Sequence, residues 1–142
     1  MACSEPPAAE PAERTLPPSI SSKPSSPAGK PVLDAEAVQG EWRIAGVAGR
    51  PIDQREAITA SILPDEIHTV AGCVRWNWSF RLSDGRLATR RRPTASPPCA
   101  RPLTAAERDL EQAMFSAAIA VRRTDGSLVL AGPGGEVVLF RQ

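Results

Sequence analysis

The segment that most constrains the fold is Gly72-Cys73-Val74-Arg75-Trp76-Asn77-Trp78-Ser79-Phe80-Arg81-Leu82. Trp76, Trp78, Phe80 and Leu82 alternate with Arg75, Asn77, Ser79 and Arg81, the period of a strand buried on one face. It ends at Ser83-Asp84-Gly85-Arg86. Asp-Gly between alternating segments predicts a type I′ hairpin, because both central residues must take positive φ. Arg86 to Arg90 then returns alongside.

Other segments extend the same sheet. Gly40-Glu41-Trp42-Arg43-Ile44-Ala45 alternates Trp42 and Ile44 against charged neighbours and reads as a strand. Ala57 to Leu63 is rich enough in β-branched residues for another, and Pro64-Asp65 turns the chain into Glu66-Ile67-His68-Thr69-Val70. After the prolines of residues 93–102, Thr104-Ala105-Ala106-Glu107 fits a capping box. The helix it opens places Leu103, Ala106, Leu110, Ala113, Met114 and Ala117 on one face, with Phe115 widening the buried stripe. Two further turns, Asp125-Gly126 and Gly132-Pro133-Gly134-Gly135, separate the last three strands. The expected architecture is mainly β (a β-rich α+β fold): a curved antiparallel meander, half-barrel-like, with one amphipathic helix packed on it.

The beginning of the chain is different. Residues 1–31 hold eight of the fifteen prolines and almost no bulky apolar side chains. Such a segment cannot bury enough surface to offset its ordering entropy, so it is expected to be a disordered, extended tether. The folded unit is expected over residues 32–142, large enough for one modest core. Met1-Ala2-Cys3-Ser4 is similar to the end of a bacterial lipoprotein signal, with a small residue before the cysteine that takes the lipid. Cys3 is therefore the lipidation candidate, and a Pro/Ser/Ala tether directly after it suits a surface-anchored domain. The alternative is a cytoplasmic protein that happens to carry a cysteine at position 3.

The residues supply little for catalysis. An enzyme needs a nucleophile with a base or a matched acid–base pair. The single histidine, His68, lies on the polar side of its strand, and neighbouring helix carboxylates such as Asp109 and Glu111 are ordinarily just solvated. No catalytic residue, cofactor site or metal site is expected, since there is no CxxC and His68 has no ligand partners at metal spacing. With a formal net charge of +1 no global field draws the chain to nucleic acid. The run Arg90-Arg91-Arg92 reads as a solvated, charge-protected sheet edge. Cys73 and Cys99 are either a disulfide or two reduced thiols. A bond closing ~27 residues would constrain the unfolded chain by about 3.5 kcal/mol.

Several segments, taken in order, carry a family resemblance. They are Gly40 to Ile52, Val70-Ala71-Gly72-Cys73, Thr94 with Cys99, Glu107 to Phe115 followed by Ser127-Leu128-Val129-Leu130, and Val137-Val138-Leu139-Phe140. Together they resemble the META domain family of HslJ-like bacterial proteins, over essentially all of residues 40–142. The chain departs from the family pattern at Val74, where an asparagine is usual, and at Pro97-Pro98, which lengthens the run before the second cysteine. The resemblance implies an envelope lipoprotein or secreted domain, stress-related and without catalytic residues or cofactor. Its expected partners are the membrane, through the lipid on Cys3, and an unknown envelope protein or small apolar ligand, with no nucleic acid. The alternative is a protease-inhibitor-like or lipocalin-like domain. For a carrier, Trp42, Trp76 and Trp78 would line an apolar pocket; otherwise they are core.

Overall fold

The computed structural model of the chain describes residues 27–94 and 99–142. Cys3, the tether up to residue 26, and Pro97-Pro98 lie outside the described residues. The strands are β1 (Lys30–Pro31), β2 (Gly40–Val47), β3 (Arg50–Pro51), β4 (Thr59–Ile62), β5 (Glu66–Ala71), β6 (Val74–Ser83), β7 (Arg86–Arg92), β8 (Ile119–Arg122), β9 (Leu128–Gly132) and β10 (Gly135–Arg141), with helix α1 (Ala105–Ser116) between β7 and β8. Neighbours run β8-β7-β6-β5-β4-β2-β10-β9, and β9 pairs back to β8. The curved sheet therefore goes beyond a half-barrel and closes as an eight-stranded antiparallel barrel. Closure removes the unpaired edges that an open sheet leaves to solvent.

The tryptophan strand behaves as its alternation requires. In β6, Val74, Trp76, Trp78 and Phe80 are buried while Arg75 and Arg81 are exposed, Asn77 and Ser79 are half-buried, and Leu82, near the strand's end, is half-buried where the alternation expects it inside. Asp84 and Gly85 turn the chain with φ of 50° and 79°, the positive pair a type I′ hairpin demands. In β2 the buried positions run Trp42, Ile44, then Val47, a spacing of three where two is expected. The cause is a bulge: Leu139 faces Ile44 and Val138 faces Gly46, so Ala45 is the extra residue.

Both barrel ends are covered. α1 lies across one end, packed on β10, β7, β9 and β2. Its start is fixed by the capping box, with Thr104 Oγ1 accepting from the Glu107 N–H at 3.2 Å and Glu107 accepting from the Thr104 N–H at 3.4 Å. At the opposite end a 3-10 turn, Ala35–Val38, inserts Val38 beneath Trp42 and is capped by Asp34, which accepts from the Ala37 N–H at 3.1 Å. The Trp42 indole N–H donates to the Val38 carbonyl at 2.8 Å, and Arg141 lies over the ring at 4.4 Å from its centroid.

Three expectations need correction. Phe115 is 72% exposed, because the helix turns Leu110, Ala113 and Met114 inward and leaves the next position facing water. Glu107 caps the helix as the capping box predicts and is in addition buried, at 3% exposed. The strand expected from Ala57 begins at Thr59, since Ala57 takes a left-handed φ of 43° after a short 3-10 turn. The ordered sheet begins two residues earlier than the expected boundary of 31 and 32: Lys30 pairs with Arg122 and Pro31 with Val121. Proline is tolerated there because the next residue supplies the donor, the Val32 N–H reaching the Ala120 carbonyl at 2.9 Å.

Candidate functional site

β5 and β6 meet in a tight turn at Gly72-Cys73, and β7 leaves the sheet at the same end of the barrel. The connection from β7 to α1 is held there by a Cys73–Cys99 disulfide with Cα atoms 5.7 Å apart, which resolves the two thiol readings in favour of the bond. Cys73 is exposed and Cys99 half-buried. Two residues after Cys99, the Arg101 guanidinium makes a two-pronged ion pair with Glu107, at 2.7 and 3.1 Å. The Glu107 bond, the largest influence on Arg101, holds its proton more tightly than usual. Glu107 thus neutralises Arg101 and caps α1 with one carboxylate, which is why a charged group is buried there.

Beside the staple lies a recess of about 350 Å3 lined by Cys73, Arg75, Trp76, Arg91, Arg101 and Glu111 among others. Its charges are largely spent internally. Arg91 is hydrogen-bonded to Glu111 and Arg101 to Glu107, leaving Arg75 as the lining cation without an ion pair among the described residues. The arginine run at the end of β7 is exposed, and Arg91 ties the strand to α1 rather than standing as a bare cation.

The three tryptophans come together as interior. Trp42 and Trp78 are 0% exposed and Trp76 is 2%. They share one cluster with Leu110, Met114, Leu128 and Leu139, so no water-sized space stands against the two most buried rings. An eight-stranded barrel is just wide enough for side chains to fill. Among the described residues Trp42 and Trp78 are fully enclosed by side chains, and Trp76 borders the recess beside the staple rather than a pocket shared by the three rings. One polar atom stands out: among the described residues the buried Trp78 indole N–H has no hydrogen-bond partner. His68 bonds Glu66 at 2.8 Å, half-exposed on the outer face of β5.

Among the described residues no cluster of three or more His, Cys, Asp or Glu is placed to hold a metal ion, and no helix is long and apolar enough to cross a membrane. The Glu107–Arg101 pair is the feature that sequence reasoning passed over. The capping box marks Glu107, but its burial depends on Arg101 being delivered through the distant Cys73.

Comparison with known proteins agrees with this architecture. The META domain family model matches residues 35–142. The chain belongs to the META domain family. That match takes in the barrel from the 3-10 turn onward, both cysteines of the staple, and α1. No curated protein sequence and no solved structure gave a significant match to the chain.

Proposed function

We propose that this META domain is a non-enzymatic module of the bacterial cell envelope, anchored by a lipid on Cys3 and working on the periplasmic face as a binding or stress-related element. The observation that carries the reading is the Cys73–Cys99 disulfide. Its Cys73 side is exposed, so a reducing cytosol would have ready access to it, whereas oxidising compartments preserve such bonds. The sequence around Cys3 and the Pro/Ser/Ala segment after it supply an acceptor and a spacer in the right order. The filled barrel supports a role for outer surfaces rather than for an internal cavity.

Intact mass of the protein from its native host, before and after reduction and alkylation, tests this. A diacyl or triacyl mass on a chain beginning at Cys3, with two thiols that alkylate only after reduction, is the expected result. An unlipidated chain that starts near Met1 and alkylates without reduction would place the protein in the cytoplasm and end the envelope reading.

A further inference from the structure

The end of the barrel opposite the disulfide carries a groove of about 550 Å3, larger than the recess at the staple and within the usual size of small-molecule sites. Its floor and walls are apolar: Pro31, Val32, Leu33 and Ala37. Leu33 is 66% exposed, and nothing in the fold requires it to be. Both neighbouring backbone bonds are already satisfied, the Asp84 N–H reaching the Leu33 carbonyl at 3.0 Å and the Gly85 N–H reaching the Val32 carbonyl at 2.8 Å. The chain could therefore carry a polar residue at position 33 without loss to the core. Leu33 is held open on the groove, where it extends the apolar surface formed by Pro31, Val32 and Ala37.

The rim is cationic. Lys30, Arg122 and Arg123 all line the groove. The one carboxylate there, Asp34, is turned to the start of the 3-10 turn, where it accepts from Ala37. Arg122 donates one bond to the Ala37 carbonyl at 3.2 Å, which fixes its guanidinium at the groove without neutralising it. Arg123 reaches Glu136 loosely, at 3.8 Å with both side chains about one-third exposed, and also acts on the Asp125 carboxylate. An apolar trough whose rim carries Lys30 and Arg122, neither in an ion pair among the described residues, beside the loosely paired Arg123 is complementary to an alkyl chain that ends in an anion.

We infer that this groove binds a single-chain anionic amphiphile of the fatty-acid class, its chain against Pro31, Leu33 and Ala37 and its head on Lys30, Arg122 and Arg123. Guanidinium and ammonium donors on an anionic head give short charge-assisted bonds, and the aliphatic stem of Lys30 extends the apolar wall. The site is independent of the lipid on Cys3, since free ligand in solution would occupy it whether or not the chain is anchored.

The test uses the full chain with its disulfide intact, titrated with sodium dodecanoate below its micelle concentration and followed by 15N–1H NMR. Dodecanoate should saturate, with shifts confined to residues 29–37 and 122–124, and bind at least tenfold tighter than dodecylammonium. Leu33→Ser should weaken dodecanoate roughly tenfold, the loss expected for one exposed apolar contact. The double variant Lys30→Gln/Arg123→Gln, which leaves the Arg122 brace in place, should abolish the preference for the anionic head while the spectrum stays folded. Shifts scattered over the surface, binding that never saturates, equal affinity for the two heads, or a head preference that survives the double variant would each overturn the proposal. So would association with phosphatidylglycerol vesicles in the absence of any dodecanoate site, which would make this face a membrane contact instead.

Discussion

Two stretches of the barrel wall are closed in different ways. From β5 to β7 each strand pairs with the one before it through a short turn, and β6 and β7 stay in register from Asn77–Arg92 to Ser83–Arg86. Between β7 and β8 the ladder is reduced to one pair, Arg86 with Ile119. Above and below that pair the seam is sealed by pieces that are not barrel strands. On one side β1 and Val32 join β8 to the Asp84-Gly85 turn. On the other, α1 stands beside β7, with Thr89 bonded to the Met114 carbonyl and Arg91 to Glu111. The meander holds by local pairing, whereas the seam holds by parts brought from far along the chain. Loop closure for such parts costs entropy, so anything that fixes them in place has unusual leverage.

The largest test removes the main fixing device. Replacing Cys73 and Cys99 together by serine releases the connection that carries Arg101 to Glu107, and should cost about 3.5 kcal/mol by loop entropy. Chemical denaturation gives the number. Native-state hydrogen exchange gives the place, and α1 and β8 should lose protection before β5 and β6. A uniform loss would show that seam and meander unfold as one unit.

The second test attacks the helix side of the seam without touching the disulfide. Gly132 ends β9 directly under the last turn of α1, and a Cβ there would sit 2.0 Å from the Ser116 carbonyl oxygen. Its neighbour Gly134 donates to Ser116 Oγ at 2.7 Å, so the helix end cannot slide aside cheaply. Gly132→Ala should destabilise by about 2–3 kcal/mol, at the upper range of overpacking. Gly49→Ala is the control, since nothing lies within 4 Å of its Cβ position and only the cost of its positive φ of 78° applies. If the two variants melt together, the helix is not wedged as the geometry requires.

The third test compares two interior tryptophans. Trp42 sits at the end closed by the 3-10 turn, and its indole N–H is bonded to Val38. Trp78 lies mid-meander, and its N–H has no partner among the described residues. Both lose similar volume on conversion to phenylalanine, but only Trp42→Phe breaks a bond that positions the turn. Trp42→Phe should therefore be worse than Trp78→Phe by about 1 kcal/mol, the net worth of an ordinary hydrogen bond. Equal losses would mean that the indole bond does not help to close that end.

The meander was legible in the sequence because each of its signals is local. Alternation marks Trp76, Trp78 and Phe80 as inward, and Asp84-Gly85 specifies its own turn. The seam was not, because its signals are shared between distant residues. Nothing near Glu107 announces its burial, since the partner that permits it is placed by a cysteine thirty-odd residues upstream. Phe115 was misplaced for a related reason: helical periodicity gives an arc, and only the position of β7 and β10 decides where the arc ends. Pro31 falls in the expected tether because residues 1–31 as a whole carry too little apolar surface to offset ordering, and the edge position that tolerates it exists only once β8 is in place. The disulfide was open on the residues alone, because spacing does not tell whether two cysteines will meet.

The smallest effect lies at the tip of the β8–β9 hairpin, on the seam's far side. Asp125 Oδ1 accepts from the Ser127 hydroxyl at 2.6 Å and from the Ser127 N–H at 2.9 Å. These bonds, the hydroxyl's first, hold the Asp125 carboxyl below its ordinary value of 3.8. A carboxyl whose pKa is lower folded than unfolded contributes stability that is present above the unfolded value and lost as pH falls through the folded one. The turn should therefore stay intact near neutrality and loosen only below about pH 4. Ser127→Ala removes the hydroxyl and should move the Asp125 carboxyl titration, read by 13C NMR, upward toward the ordinary value. Acid unfolding of the variant should begin at correspondingly higher pH. Because the Ser127 N–H bond and then Arg123, which also favour the charged carboxylate, remain in the variant, the shift should be partial. An unchanged titration would mean that the Ser127 N–H and Arg123 set the Asp125 charge, and that the Ser127 hydroxyl does not help to close this hairpin.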